Sequence, residues 1–197
     1  MPRTSRFLKQ FRTFWGTNSR LFLFLTLLLT GLVIGCVWYP HFPSEYAPLL
    51  SYFKAESGEI SGFSGALTAF FRHSLVTLSA LGLLMLSGMS LCGIVVVFAV
   101  PVAYGAAWGV FLTSLLETEG VLALALTLPE ALLAVWALLI ACAEALRLTS
   151  RLVAQVMPGS PKGGLWRDFR LFFLRFLLCF SLALLASAVG TTLAVLV

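Results

Sequence analysis

Residues Ser74 to Leu116 read SLVTLSALGLLMLSGMSLCGIVVVFAVPVAYGAAWGVFLTSLL, 43 positions without Asp, Glu, Lys or Arg. Arg72 is the last such charge before the stretch and Glu117 the first after it. One membrane crossing takes ~20 apolar residues. Drawn out as one helix the stretch would reach roughly 64 Å, about twice the thickness of the hydrocarbon core. It must fold back once. The small, flexible run Ser87-Gly88-Met89-Ser90-Leu91-Cys92-Gly93 is the expected bend, and Pro101 offers a second break. Beyond the short acidic link Glu117-Thr118-Glu119-Gly120 comes a further apolar span, Val121 to Ala145, interrupted by Leu128-Pro129-Glu130. Three helices joined by so little chain have to lie side by side and form the core.

The rest of the chain fits the same solvent. Of its 197 residues 60% are hydrophobic and 11% charged, where soluble domains carry about 25% charged residues. Span one is Leu21 to Tyr39 and contains Gly31-x-x-x-Gly35, a spacing that lets another backbone approach. Pro40 to Phe71 is the longest polar excursion, rich in the aromatic residues that favour the headgroup level. Span two runs from Arg72 to about Leu86, span three ends near Leu116, span four is Val121–Ala145 and span five Phe176–Val197. The fold class is all-α: a polytopic bundle of about five transmembrane helices, with room for a sixth short or re-entrant element between Ser87 and Pro101. Two parts are expected, a basic amphipathic segment over residues 1–20 and a single transmembrane domain over 21–197. In the first, Phe7, Leu8, Phe11, Phe14 and Trp15 recur at helical spacing among five cations, which suits an anionic leaflet. No small-residue cleavage site follows span one, so no signal-peptide cleavage is expected.

Charge placement predicts orientation. Five cations precede span one and six lie between Arg147 and Arg175, against Lys54 and Arg72 on the other side. The positive-inside rule puts the N-terminus in the cytoplasm and the C-terminus outside, in the cell membrane. It also accounts for the basic balance without nucleic acid.

The motifs that carry chemistry are few. Gly88, Gly93, Gly105 and Gly109 have no nearby lysine, so no phosphate cradle is formed. His41 and His73 lack neighbours at ligand spacing and read as interfacial polar residues rather than metal ligands. Cys36, Cys92, Cys142 and Cys179 are unpaired in sequence and read as buried small hydrophobes. No nucleophile sits with a base. The expected metal, cofactor and catalytic residues are therefore none, and the chain reads as a non-enzyme. Two acids lie inside span four. Glu144 stands three and seven residues before Arg147 and Arg151 on one helical face, as an ion pair at the cytoplasmic interface. Glu130 follows Pro129 at membrane depth, where a charge costs ~2.5–3.5 kcal/mol and marks a site by default. It reads as a polar contact to Ser, Thr or Tyr104, or as the lining of a cavity. Gly31, Gly35, Gly105 and Gly109 are the candidate packing residues. Gly105-x-x-x-Gly109 and Ala141-x-x-x-Ala145 are candidate faces for a partner or a second copy.

The layout resembles the stage II sporulation protein M family over nearly its full length. The resemblance is carried by Thr17-Asn18-Ser19-Arg20 before span one, the Gly31–Gly35 run, the Phe71-Arg72-His73-Ser74 entry to span two, the Gly105–Phe111 run and Leu128-Pro129 in span four. The family carries Gln-Asn or His-Gly after that proline, and this chain has Glu130. The resemblance implies a non-catalytic membrane scaffold of endospore formation. It would organise peptidoglycan-degrading partners similar to stage II sporulation proteins D and P during engulfment. The rival reading is a transporter or permease subunit with its path at the Pro129–Glu130 break.

Overall fold

The computed structural model describes residues 3–53, 62–156 and 165–196, with side chains in the first helix from Ser19 onward. The stripe Phe7–Trp15, the loop residues from Lys54 to Ser61 and the linker Pro158–Gly164 therefore lie outside the described residues or side chains. Among those described there are six α-helices and no strand. They are α1 (Arg3–Trp38), α2 (Ala47–Phe53), α3 (Gly62–Gly88), α4 (Ile94–Thr118), α5 (Val121–Val156) and α6 (Leu165–Leu196), with one 3-10 turn at Tyr39–His41. Five are long and apolar enough to cross a membrane: α1 from Ser19, α3 from Phe70, α4, α5 and α6. The chain is a multi-pass membrane helical bundle. One end gathers the start of the α1 span, the α3–α4 turn, the end of α5 and the start of α6, and is called the basic end below. The other, the loop end, carries α2 and the α4–α5 link.

The short element for which the sequence leaves room between Ser87 and Pro101 is not found among the described residues. Met89 to Gly93 is a plain turn, with Ser90 N donating to the Ser87 carbonyl at 3.0 Å and Gly93 N to that of Ser90 at 3.2 Å. A Cβ on Gly93 would overlap the Ser87 carbonyl, so the tight reversal needs glycine here. The additional short helix is α2, in the polar excursion, where the spacing of apolar residues is too brief to announce it. Neither internal proline ends its helix: α4 continues through Pro101 and α5 through Pro129. Membrane helices tolerate this when neighbouring groups satisfy the backbone. Helix α1 also runs unbroken across residue 20, so the basic segment and span one share one helix. The other reversal is at Gly120, the one residue described with a positive φ, 84°. Its N–H and that of Glu119 both return to the Leu115 carbonyl, and α5 starts at the next residue.

Helix α4 is the central span, with half of its membrane window buried against 22–33% for the others. Helix α1 lies along it more extensively than any other pair of helices touches, and α5 with α6 comes next. On α1 the buried residues are Phe24, Leu28, Gly31 and Gly35, one every three or four positions, a single stripe. That stripe meets α4 with backbone against backbone. A Cβ on Gly31 would overlap the Val102 carbonyl, one on Gly35 that of Ala106, one on Gly105 that of Leu28 and one on Gly109 that of Leu32. The residue numbers rise together, so α1 and α4 run parallel and the two glycine pairs interlock in register. Lipid tails are as apolar as leucine, so burial alone drives no association between spans, and close contact of this kind has to supply it. The Cys36 thiol adds a hydrogen bond to the Gly109 carbonyl at 3.5 Å.

The interlock removes Gly105-x-x-x-Gly109 from the candidate partner faces. Ala141 and Ala145 are likewise fully buried, and Ala145 sits under Gly88. Both stripes are used inside the bundle because its short connections bring helices of the same chain onto them first.

The interlock makes a direct prediction. Gly105→Leu should lower stability by at least about 3 kcal/mol, above the usual 1–3 kcal/mol of overpacking because the opposing atoms are backbone. Gly82 has open space around it, so Gly82→Ala should be neutral or gain up to about 1 kcal/mol of helix propensity. Apparent melting temperatures of the two variants in one detergent give the comparison.

Candidate functional site

The break at Leu128-Pro129-Glu130 turns out to be two-sided. Pro129 is exposed on the outer surface of the bundle while Glu130, one residue on and about 100° around the helix, is buried. A proline on the outward face disturbs no packed neighbour, and the next position carries the carboxylate to the interior. There Glu130 Oε1 is hydrogen-bonded to His73 Nε2 of α3, and the two side chains are only 6% and 15% exposed. The other oxygen lies against Gly190 of α6, where any Cβ would collide with it. Three helices thus meet at one carboxylate.

This corrects two expectations. Glu130 has a titratable partner, and His73 is no isolated interfacial residue. Tyr104 is not the partner of Glu130: its Oη is hydrogen-bonded to Thr77 Oγ1 at 2.9 Å, and both are buried. Fifty-seven residues separate His73 from Glu130. Spacing cannot expose such a pair. The available signal was that an acid inside a span demands a partner from another span, and His73 stands directly before the charge-free stretch.

Aromatic rings surround the pair toward the loop end. Phe53 of α2 is 5% exposed. It meets His73 edge-on at 6.4 Å and 90°, stacks on Phe111 at 4.9 Å and 20°, and contacts Trp108 at 5.6 Å. Trp108 packs beside Tyr104, and its buried Nε1 meets no partner at hydrogen-bond geometry. Phe53 is the single buried side chain of α2, so the short helix is fastened to the bundle chiefly at this site.

The second acid, Glu144, works at the basic end. It accepts from Arg175 of α6 and lies 3.5 Å from Arg147. Arg151 does not share it. Arg151 pairs instead with Asp168 of α6, because α6 runs alongside this part of α5 and brings its own acid closer. Arg175 and Asp168 were not legible as partners, since the pairing crosses a turn-rich linker. Thr149 completes this end by donating to the Gly88 carbonyl at 3.2 Å, satisfying a terminal carbonyl of α3. The cysteines divide: Cys142 and Cys179 are buried, Cys36 partly so, but Cys92 is exposed in the α3–α4 turn. Among the described residues no three His, Cys, Asp or Glu side chains gather as a metal site would require.

What the pair can do follows from its charges. An imidazole and a carboxylate that share one proton are together neutral in either arrangement, whereas a carboxylate alone at this depth is a net charge in a low dielectric. His73→Ala should therefore cost about 3–5 kcal/mol, the penalty for stranding one member of a buried pair. The double change His73→Ala with Glu130→Leu should recover much of that loss, because nothing polar is then left unpaired. A thermal-stability cycle of the two single variants and the double variant measures it, and additive losses would contradict direct coupling.

No curated protein and no solved structure matches the chain. A family model, stage II sporulation protein M, matches residues 21–194. That span takes in all five crossings, both interlocked glycine pairs and the His73–Glu130 site, and the chain belongs to the stage II sporulation protein M family.

Proposed function

We propose that this protein is a non-catalytic membrane scaffold of spore formation, which recruits or organises peptidoglycan-degrading proteins during engulfment. The observation that carries the reading is the family match over residues 21–194. Three polar contacts between helices support it: His73 with Glu130, Thr77 with Tyr104, Glu144 with Arg175. Each such contact holds a span in register. Partners similar to stage II sporulation proteins D and P would meet the loop end, where α2 and the α4–α5 link lie. The cation split supports an orientation with the basic end in the cytoplasm and the loop end outside. A second copy of the chain is a further possible partner through lipid-facing helix surfaces.

One observation favours a second reading, a permease: a buried acid at membrane depth is paired with a titratable side chain. The two readings separate cleanly. In a deletion strain of the host, complementation with Glu130→Gln should restore engulfment, and the tagged protein should co-purify with cell-wall hydrolases from sporulating cells. Proteoliposomes should show no flux of protons or small solutes. Flux that disappears with Glu130→Gln would replace the scaffold by the permease.

Orientation has its own test, using exposed positions at opposite ends of the bundle. In intact cells an impermeant maleimide should label Ser51→Cys at the loop end and leave native Cys92 in the α3–α4 turn unmodified until the membrane is permeabilised. The reverse pattern would invert the topology.

A further inference from the structure

We propose that the outward face of α6 at the basic end is a binding site for an anionic phospholipid. Arg167 and Arg170 hold the headgroup phosphate, and Leu174, Leu177 and Leu178 lie along an acyl chain. The inference rests on α6 crossing a membrane and is independent of whether the protein scaffolds hydrolases.

The first observation is which charges are left over. From Glu144 to Arg175 the chain has six cations and two acids, Glu144 and Asp168. Both acids are taken. Glu144 accepts from Arg175 and lies beside Arg147, and Asp168 pairs with Arg151 of α5. Asp168 follows Arg167 directly, but adjacent residues on a helix do not face each other. The basic start of α1 supplies no acid either, since the first in the chain is Glu45. Arg167 and Arg170 are exposed, and among the described residues neither has an acid partner.

The second observation is where these two side chains stand. Helix α6 buries Phe172, Phe176, Cys179 and Ala183, and Phe172 packs against Gly88 of α3. At 3.6 residues per turn Arg167 and Arg170 are roughly 60° apart and straddle the opposite side of the helix. The same outward side continues with Leu174, Leu177 and Leu178, which are 56%, 69% and 57% exposed. With 1.5 Å per residue, Leu174 is ~6 Å and Leu178 ~12 Å beyond Arg170, both within the ~15 Å that one leaflet contributes to the hydrocarbon core. Trp166, 84% exposed, stands beside the arginines and is a residue type favoured at headgroup level. The guanidinium groups thus lie at the depth of phosphates and the leucines at the depth of acyl chains.

The third step is the chemistry of the ligand. Guanidinium presents its donors in a planar fork that matches a phosphate, and two such forks on one face can grip different oxygens of the same group. In a zwitterionic lipid the phosphate charge is balanced by the lipid's own ammonium. In phosphatidylglycerol it is left for the protein. A free phosphate would use the arginines and leave the leucine stripe idle, so the combination selects a lipid.

The test uses the full chain in phosphatidylcholine nanodiscs that contain about a tenth of a lipid brominated on its acyl chains, either phosphatidylglycerol or phosphatidylcholine. A reporter is introduced by Leu174→Trp on the proposed site, or by Leu83→Trp on an exposed position of α3 near the same end, where residues 74–116 carry no charge. The quenching of each reporter is its difference from the chain without it. The Leu174→Trp reporter is expected to be quenched at least about threefold more by the anionic than by the zwitterionic lipid, and the Leu83→Trp reporter equally by both. The excess should vanish when Arg167→Gln and Arg170→Gln are combined, and should persist when inorganic phosphate is added at matched ionic strength. Equal quenching at Leu174→Trp overturns the proposal, as does the same excess at Leu83→Trp, which would mean a diffuse attraction of the whole basic end. Survival of the excess in the double glutamine variant overturns the role of the arginines, and its loss to phosphate alone would replace the lipid by a free anion. The comparison of the two reporters with both arginines intact decides the matter even if the glutamine variant does not fold.

Discussion

The approach of α1 to α4 sets the geometry of the whole bundle. Four glycines allow two backbones to touch where any side chain would hold them apart. In water such a contact would be a minor addition to hydrophobic burial. In lipid it is a principal source of association, because dispersion between close-packed backbones is one of the few terms that distinguishes helix from lipid tail. Its parallel register also has a topological consequence. Helices α1 and α4 are not neighbours in sequence, so α3 must cross back and leave room for them to meet. The tight turn at Met89–Gly93 does that with five residues and one glycine that admits no side chain.

With α4 fixed at the centre, the remaining helices are held less by close backbone contact than by polar groups. Apolar surfaces can slide along one another at little cost, so register needs directional contacts. Polar ties at two levels provide them. Near the loop end, His73–Glu130 ties α3 to α5 and Thr77–Tyr104 ties α3 to α4. At the basic end Thr149 ties α5 to the terminus of α3, while Glu144–Arg175 and Arg151–Asp168 tie α5 to α6. Helix α5, 36 residues long and containing Pro129, takes part at both levels.

The sequence made some of this visible and concealed the rest for identifiable reasons. The spans were legible because apolar length is a local property: the stretch around Ser74–Leu116 had to fold once, and the bend fell in its small residues. The four glycines were legible as packing positions, since a missing side chain is informative in itself, but which helix each would meet was not. The same limit explains Glu130. Its depth announced that it needed a partner, yet the partner is 57 residues away on a helix whose rotation no periodicity specifies. His73 reads as interfacial because it closes a polar segment, and it does lie only three residues into the apolar span that starts at Phe70, but α3 turns it onto Glu130 of α5. Arg151 illustrates the opposite error. A local acid at the right spacing suggested a pairing that a helix from elsewhere in the chain supplies instead.

The choice of an ionisable pair for the loop-end tie has a physical implication. Replacing a buried ion pair with apolar residues of similar volume is often neutral or stabilising, so stability alone is a weak reason to keep one. Thr77 and Tyr104, one turn away, show that neutral hydroxyls suffice to set register at this depth. What a carboxylate adds over a hydroxyl is a second oxygen, which reaches a third helix, α6. What Gly190 adds is the absence of a side chain where the second carboxylate oxygen lies, so that the acid fits only if α6 is small at that point. Phe53 then places the one external helix that the structure describes against the same imidazole. Acid, base, glycine and ring come from four different helices, α5, α3, α6 and α2, and a contact of that order couples the loop end to the interior whichever partner the loop end serves.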